Sequence, residues 1–200
     1  MSLKTGNNIK KEPTSLGSFF ITVIKILGTK YNRITLNNKG VYSMKQIRWK
    51  TLILSVLLPL VVGGFSALLT MDGMKDFDSF VKPPLSPPGW LFPIVWTLLY
   101  VLMGIASYLV IESGASQSDK EKALGVYLLQ LAFNFFWSII FFNLGLYYFA
   151  FVWLLIMLAL IIVTTVRFYR IDKRAGFLMI PYIVWVVFAG YLNLGIAYLN

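Results

Sequence analysis

Between Ala123 and Val166 the chain runs for 44 positions without a charged residue. A helix needs about 20 consecutive apolar residues to cross the hydrocarbon core of a bilayer. This run is therefore two spans long, and Asn143-Leu144-Gly145 near its middle supplies the turn that divides it. Lipid offers backbone N–H and C=O groups no water to bond, so both halves are expected to be helical. The same length rule applied along the chain predicts five helices, at 51–71, 89–111, 123–143, 146–166 and 175–198. Composition agrees, with 58% hydrophobic and 13% charged residues and a mean hydropathy of +0.74, outside the range of soluble domains. The expected fold class is an all-α membrane protein, a five-transmembrane-helix bundle.

Charge orients that bundle. The formal net charge of +10 comes from the N-terminal arm, where ten Lys and Arg in residues 1–50 face one acid, Glu12. An excess so placed points to an anionic membrane surface and not to nucleic acid. The arm falls on the same side as Lys120 and Lys122 and as Arg167, Arg170, Lys173 and Arg174, while the opposite side has only Lys75 and Lys82, diluted by Asp72, Asp76 and Asp78. The positive-inside rule then predicts a multi-pass protein of the cell membrane with a cytoplasmic N-terminus and an external C-terminus. Residues 1–43 read as a basic extension, disordered or interfacial, since the apolar patch Leu16 to Gly28 is too short to span and lacks a signal-peptide cleavage site. Met44-Lys45-Gln46-Ile47-Arg48 also reads as a natural start for the membrane domain of residues 44–200.

Cys and His are both absent, which excludes disulfides, thiol catalysis and zinc sites of the Cys/His type. The spans also lack the buried carboxylates of a proton relay and the Arg ladder of a voltage sensor. They carry amides, hydroxyls and aromatics in register instead. Gln130, Asn134 and Ser138 share a face of the third helix with Trp137; Trp96, Tyr100, Gly104 and Ser107 share one on the second; Tyr182, Trp185, Ala189 and Asn193 share one on the fifth. Three faces of one character suggest a common interior. Plainer readings stand beside this one: Gln130 and Asn134 as interhelical glue, Gly63-Gly64 and Gly104 as points of close helix approach, and Trp49, Trp90 and Trp153 as interfacial anchors, with Trp153 facing lipid.

The loop Lys82-Pro83-Pro84-Leu85-Ser86-Pro87-Pro88-Gly89 has four prolines in eight residues, which forces extended or turn backbone ahead of the second helix. It reads either as a lid over the mouth of the bundle or as a rigid connector. The lid would comprise Phe77, Lys82, Pro83, Pro87, Pro88 and Trp90.

The strings KPPLSPPGWLFPIVWTLLY, YLLQLAFNFFWSIIFF and LMIPYIVWVVFAGYLNLGI, taken in order, resemble the translocator protein family, also described as tryptophan-rich sensory proteins. The resemblance covers about Trp49 to Asn200. It implies a five-helix bundle, a homodimer, and a ligand cavity beneath the first loop that takes porphyrins, sterols and synthetic drugs. Its cavity tryptophans correspond to Trp96 and Trp185, its helix-three pair to Asn134 and Trp137, and its small helix-five residue to Ala189. Two departures stand out: Asp76-Phe77 where the family often has Trp-Tyr, and Leu85 where it often has Trp.

Read with the residues themselves, this implies binding of a tetrapyrrole such as protoporphyrin IX among Trp96, Tyr100, Asn134, Trp137, Tyr182, Trp185 and Ala189, and regulation of its transport, sensing or turnover. Indoles stack on a flat macrocycle, and amides or hydroxyls meet its polar edge. No cofactor or metal is required. Two alternatives remain: light-dependent porphyrin degradation with Trp96 or Trp185 as redox partner, and a sensory or structural membrane partner whose interior ligand is incidental.

Overall fold

The computed structural model describes residues 35–36, 42–43, 47–75 and 79–200. The expectations for Leu16 to Gly28, for Met44 and for Phe77 lie outside the described residues. The chain divides into two units, Met1–Ile47 and Arg48–Asn200. In the first, β1 (Thr35–Leu36) and β2 (Tyr42–Ser43) pair antiparallel, Thr35 opposite Ser43 and Leu36 opposite Tyr42.

The second unit carries its regular structure in helices: α1 (Trp49–Leu69), the short α2 (Met71–Lys75), α3 (Leu91–Ile111), α4 (Gln117–Ser138) with a π-helical turn at Ile139–Asn143, α5 (Tyr147–Ile171) and α6 (Lys173–Leu199). Five of these are long and apolar enough to cross a membrane. The ends differ from the expected spans for local reasons. Helix α4 begins earlier because Ser116 caps it, its hydroxyl accepting from the Asp119 amide at 3.1 Å. Helices α5 and α6 run on through charged residues until they meet at Asp172, whose carboxylate accepts from the Arg174 backbone N–H and pairs with its guanidinium at 3.0 Å. These additions are polar helical turns outside the apolar stretch, invisible to a reading that stops at the first charge.

The spans close into a ring in the order α1, α3, α6, α5, α4, each packed on its neighbours. Helix α3 is the most enclosed, with 61% of its span buried, and α1 the least, with 22%. Much of α1 presents Leu54, Val61, Phe65 and Leu68 outward, as a lipid-facing helix must. Glycines set the α1–α3 distance. A Cβ at Gly104 would lie 2.5 Å from Val56 Cα and 2.7 Å from Ser55 O, and one at Gly63 would overlap the Tyr100 ring. Gly64 has nothing within 4 Å, so close approach applies to Gly63 and not to its neighbour.

One end of the bundle gathers the basic groups. There Arg48 pairs with Glu112 at 3.3 Å, Lys120 Nζ donates to Ile111 O at 3.0 Å and Arg167 donates to Lys122 O at 3.1 Å. The other end carries α2 and the proline segment.

Candidate functional site

At the proline-bearing end the helices enclose a cavity of about 610 Å³, within the ~300–1,000 Å³ typical of small-molecule sites. Its walls come from α1, α3, the end of α4 and α6; Met74 of α2 and Pro88, Gly89 and Trp90 contribute from the rim. Among the described residues, none that lines it is Asp, Glu, Lys or Arg. The described lining can enclose apolar surface and offer a few hydrogen bonds.

Of the residues expected to bind ligand, Trp96, Tyr100, Trp137, Trp185 and Ala189 line the cavity. Trp96 stacks on Tyr100 with centroids 5.5 Å apart and meets Tyr182 edge-on at 6.1 Å. Trp185 lies edge-on to Phe92 at 5.9 Å, and its indole Nε1 is buried without a hydrogen-bond partner. Trp137 stacks on Phe141 at 5.2 Å and donates from Nε1 to Asn193 Oδ1 at 3.2 Å, while Asn193 in turn donates to Tyr147 O at 2.8 Å.

Asn134 and Tyr182 sit one layer deeper. The Tyr100 hydroxyl donates to Asn134 Oδ1 at 2.7 Å, Asn134 Nδ2 donates to the Tyr182 hydroxyl at 3.2 Å, and that hydroxyl donates to Gln130 Oε1 at 3.0 Å. Neither Asn134 nor Tyr182 is among the lining residues. Helical spacing put them on the right face but says nothing of depth, and the aromatic rings of Tyr100 and Trp96 lie closer to the cavity. They support its floor through a buried network in which each group is expensive to leave unpaired.

The proline segment is also resolved residue by residue. Pro88 and Trp90 line the cavity, Pro83 is buried against Gly195, and Lys82 and Pro87 are half-buried, with Pro87 outside the lining. Trp49 and Trp90 are exposed at 63% and 67%, the latter while also lining the cavity. Trp153 is half-buried. Its indole stacks on Phe133 at 4.4 Å and its Nε1 donates to Phe133 O at 2.8 Å, so it locks α5 to α4.

Sequence reasoning left out Thr70, Met74, Phe141 and Phe142, which line the cavity too. The last two enter because the chain winds into a π turn after Ser138, which accommodates an extra residue per turn. Asn143 Nδ2 donates to Leu69 O at 2.9 Å and fixes that turn against α1. Ser138 and Asn193, on the polar faces of α4 and α6, belong to the lining as well.

The sequence model of the TspO/MBR family matches residues 55–199. Similar curated proteins include the tryptophan-rich protein TspO of Chlorobaculum tepidum, 35% identical over 75% of this chain and 96% of its own length. The tryptophan-rich protein TspO of Archaeoglobus fulgidus is 37% identical over 74% of this chain and 96% of its own length. The translocator protein of Bos taurus is 33% identical over 72% and 87% respectively. The match takes in most of the first span, the other four and every residue that lines the cavity, and the chain belongs to the TspO/MBR family.

Proposed function

We propose that this membrane protein holds a flat, largely apolar ligand in the cavity, a tetrapyrrole such as protoporphyrin IX, and so regulates its transport, sensing or turnover. The observation that carries this reading is the cavity wall itself: the rings of Trp96, Trp137 and Trp185 line it together, beside a few polar groups from Thr70, Ser138 and Asn193. Such rings supply stacking surface for a flat ligand, and the amide and hydroxyls can meet its polar edge. Carboxylates on the ligand would have to reach the rim, since no base is among the described lining residues to pair them. The nearby Lys75 is engaged with Asp72 at 2.7 Å and holds that carboxyl below its usual range.

The same reading places the base-rich end in the cytoplasm of a cell whose plasma membrane the protein spans, and pairs the chain as a homodimer through its lipid-facing helices. Titration of the purified protein with protoporphyrin IX in the dark should quench tryptophan fluorescence saturably, at one ligand per chain. Absence of saturable quenching rejects the proposal. Porphyrin loss on illumination of the saturated complex, absent from a Trp96→Phe Trp185→Phe variant, would replace it with the degradative activity.

A further inference from the structure

A second polar centre lies beneath the cavity, between its floor and the base-rich end of the bundle. Helices α3 and α4 are not neighbours in the ring, so side chains that join them lie inside it. At the upper level the Tyr100 hydroxyl of α3 reaches the Asn134 amide of α4 at 2.7 Å. Two helical turns below, Ser107 of α3 faces Tyr127 of α4. The step from Tyr100 to Ser107 equals the step from Asn134 to Tyr127, as antiparallel helices in register require. Gln130 stands between the levels, on the face of α4 that carries Tyr127 and Asn134. None of Ser107, Tyr127 and Gln130 lines the cavity.

Two polar atoms of this centre meet no hydrogen-bond partner among the described residues: the Tyr127 hydroxyl and Gln130 Nε2. Both side chains are enclosed, at 1% and 0% exposure. Gln130 is held by its Oε1, which accepts from the Tyr182 hydroxyl at 3.0 Å. Turning the amide over only exchanges which of its polar atoms is unmet. Tyr127 is held by its ring, packed on Phe168 of α5 with centroids 5.6 Å apart. Ser107 donates its proton to Gly104 O at 2.9 Å and keeps its lone pairs, and it faces the Tyr127 hydroxyl without completing a hydrogen bond. Lipid tails offer such groups nothing, and buried polar groups in native proteins are paired with protein or with ordered water.

We infer that Ser107, Tyr127 and Gln130 form a binding site for a single water molecule in the middle of the bundle. The water accepts from Gln130 Nε2 and from the Tyr127 hydroxyl and donates to Ser107 Oγ, three bonds being usual for a buried water. Because water both donates and accepts, it serves either orientation of the Gln130 amide. All three side chains are neutral, which suits water and not an ion. The bound water extends the row Tyr100, Asn134, Tyr182 and Gln130 from the cavity floor to the lower half of α3. It thereby cross-links α3 and α4 inside the ring, where they share no helix–helix seam.

Thermal melts of the full chain in detergent give the test a sign. A buried hydroxyl with no partner costs stability, so its removal in Tyr127→Phe would raise the melting temperature or leave it unchanged. With the water bound, Tyr127→Phe should instead lower it by about 2–4 °C. Tyr127→Phe combined with Gln130→Met, and with Ser107→Ala, should each cost less than the sum of the single changes, because both members of each pair hold one water. A crystal structure at about 2 Å resolution or better should show one solvent peak within ~2.7–3.2 Å of all three side chains. The inference is overturned if Tyr127→Phe does not lower the melt, or if a well-ordered core shows no such peak. Coupling of Tyr127 to Ser107 but not to Gln130 also overturns it, since a direct hydrogen bond between the two hydroxyls would then stand in place of the water. None of these readouts uses porphyrin, so the water site and the cavity ligand can fail separately.

Discussion

Tyr182 and Trp185 lie one helical turn apart on α6 and do opposite things with their polar atoms. Tyr182 has no exposed surface, and its hydroxyl both accepts from Asn134 and donates to Gln130. Tyr182→Phe removes the centre of that chain and leaves both amides short of a partner, at about 1–3 kcal/mol each. A thermal melt in detergent should drop clearly, and binding of porphyrin to the still-folded protein should change little. Trp185 carries a buried donor that meets nothing among the described residues. Trp185→Phe should therefore leave the melt nearly unchanged and, because it keeps a ring on the cavity wall, largely preserve porphyrin binding, while Trp185→Ala weakens binding by removing the ring. A large loss of stability in Trp185→Phe would mean that the indole N–H has a partner in the protein. Trp153 completes the comparison: its N–H is spent on Phe133 O, so Trp153→Phe should lower the melt modestly and leave porphyrin quenching intact.

The elements of this protein differ in how far their own sequence determines them. Uncharged length alone marks out the five spans, because lipid leaves backbone groups no alternative to the helix. Gly145, with φ +63°, sits where the Asn143-Leu144-Gly145 signal put the break between α4 and α5. The π turn just before it was not legible, since it depends on distant partners: Leu69 O accepts from Asn143, and Gly73 lies against the Phe142 backbone. Phe141 and Phe142 were missed for that reason. Hydrophobic length also says nothing of which glycine a neighbour will touch. Gly63 and Gly64 look alike in sequence, yet one abuts Tyr100 and the other opens to empty space. At the α1–α3 crossing, Gly104→Ala pushes against the backbone of Ser55 and Val56, which cannot swing aside as a side chain would. It should cost about 1–3 kcal/mol, read as a lower melting temperature, whereas Gly64→Ala should be neutral or slightly stabilising. Equal effects at the two positions would mean that the α1–α3 spacing differs from the one described.

At the scale of the whole molecule the two ends of the bundle are chemically unlike, and that asymmetry gives a direction in the membrane. One end ties its loops together with bases, through Arg48 to Glu112, Lys120 to Ile111 O and Arg167 to Lys122 O. The other carries α2, where Lys75 is matched by Asp72, and the proline segment, held to α6 by the Tyr191 hydroxyl. Bases retained on one side of a bilayer mark the cytoplasmic face, so the cavity mouth should open outward. Exposed positions at each end make this testable: Leu85 in the proline segment and Ser118 in the first turn of α4. In intact cells a membrane-impermeant maleimide should label Leu85→Cys and leave Ser118→Cys untouched until the membrane is permeabilised. The reverse pattern would turn the cavity toward the cytoplasm, and any ligand would then have to arrive from inside the cell.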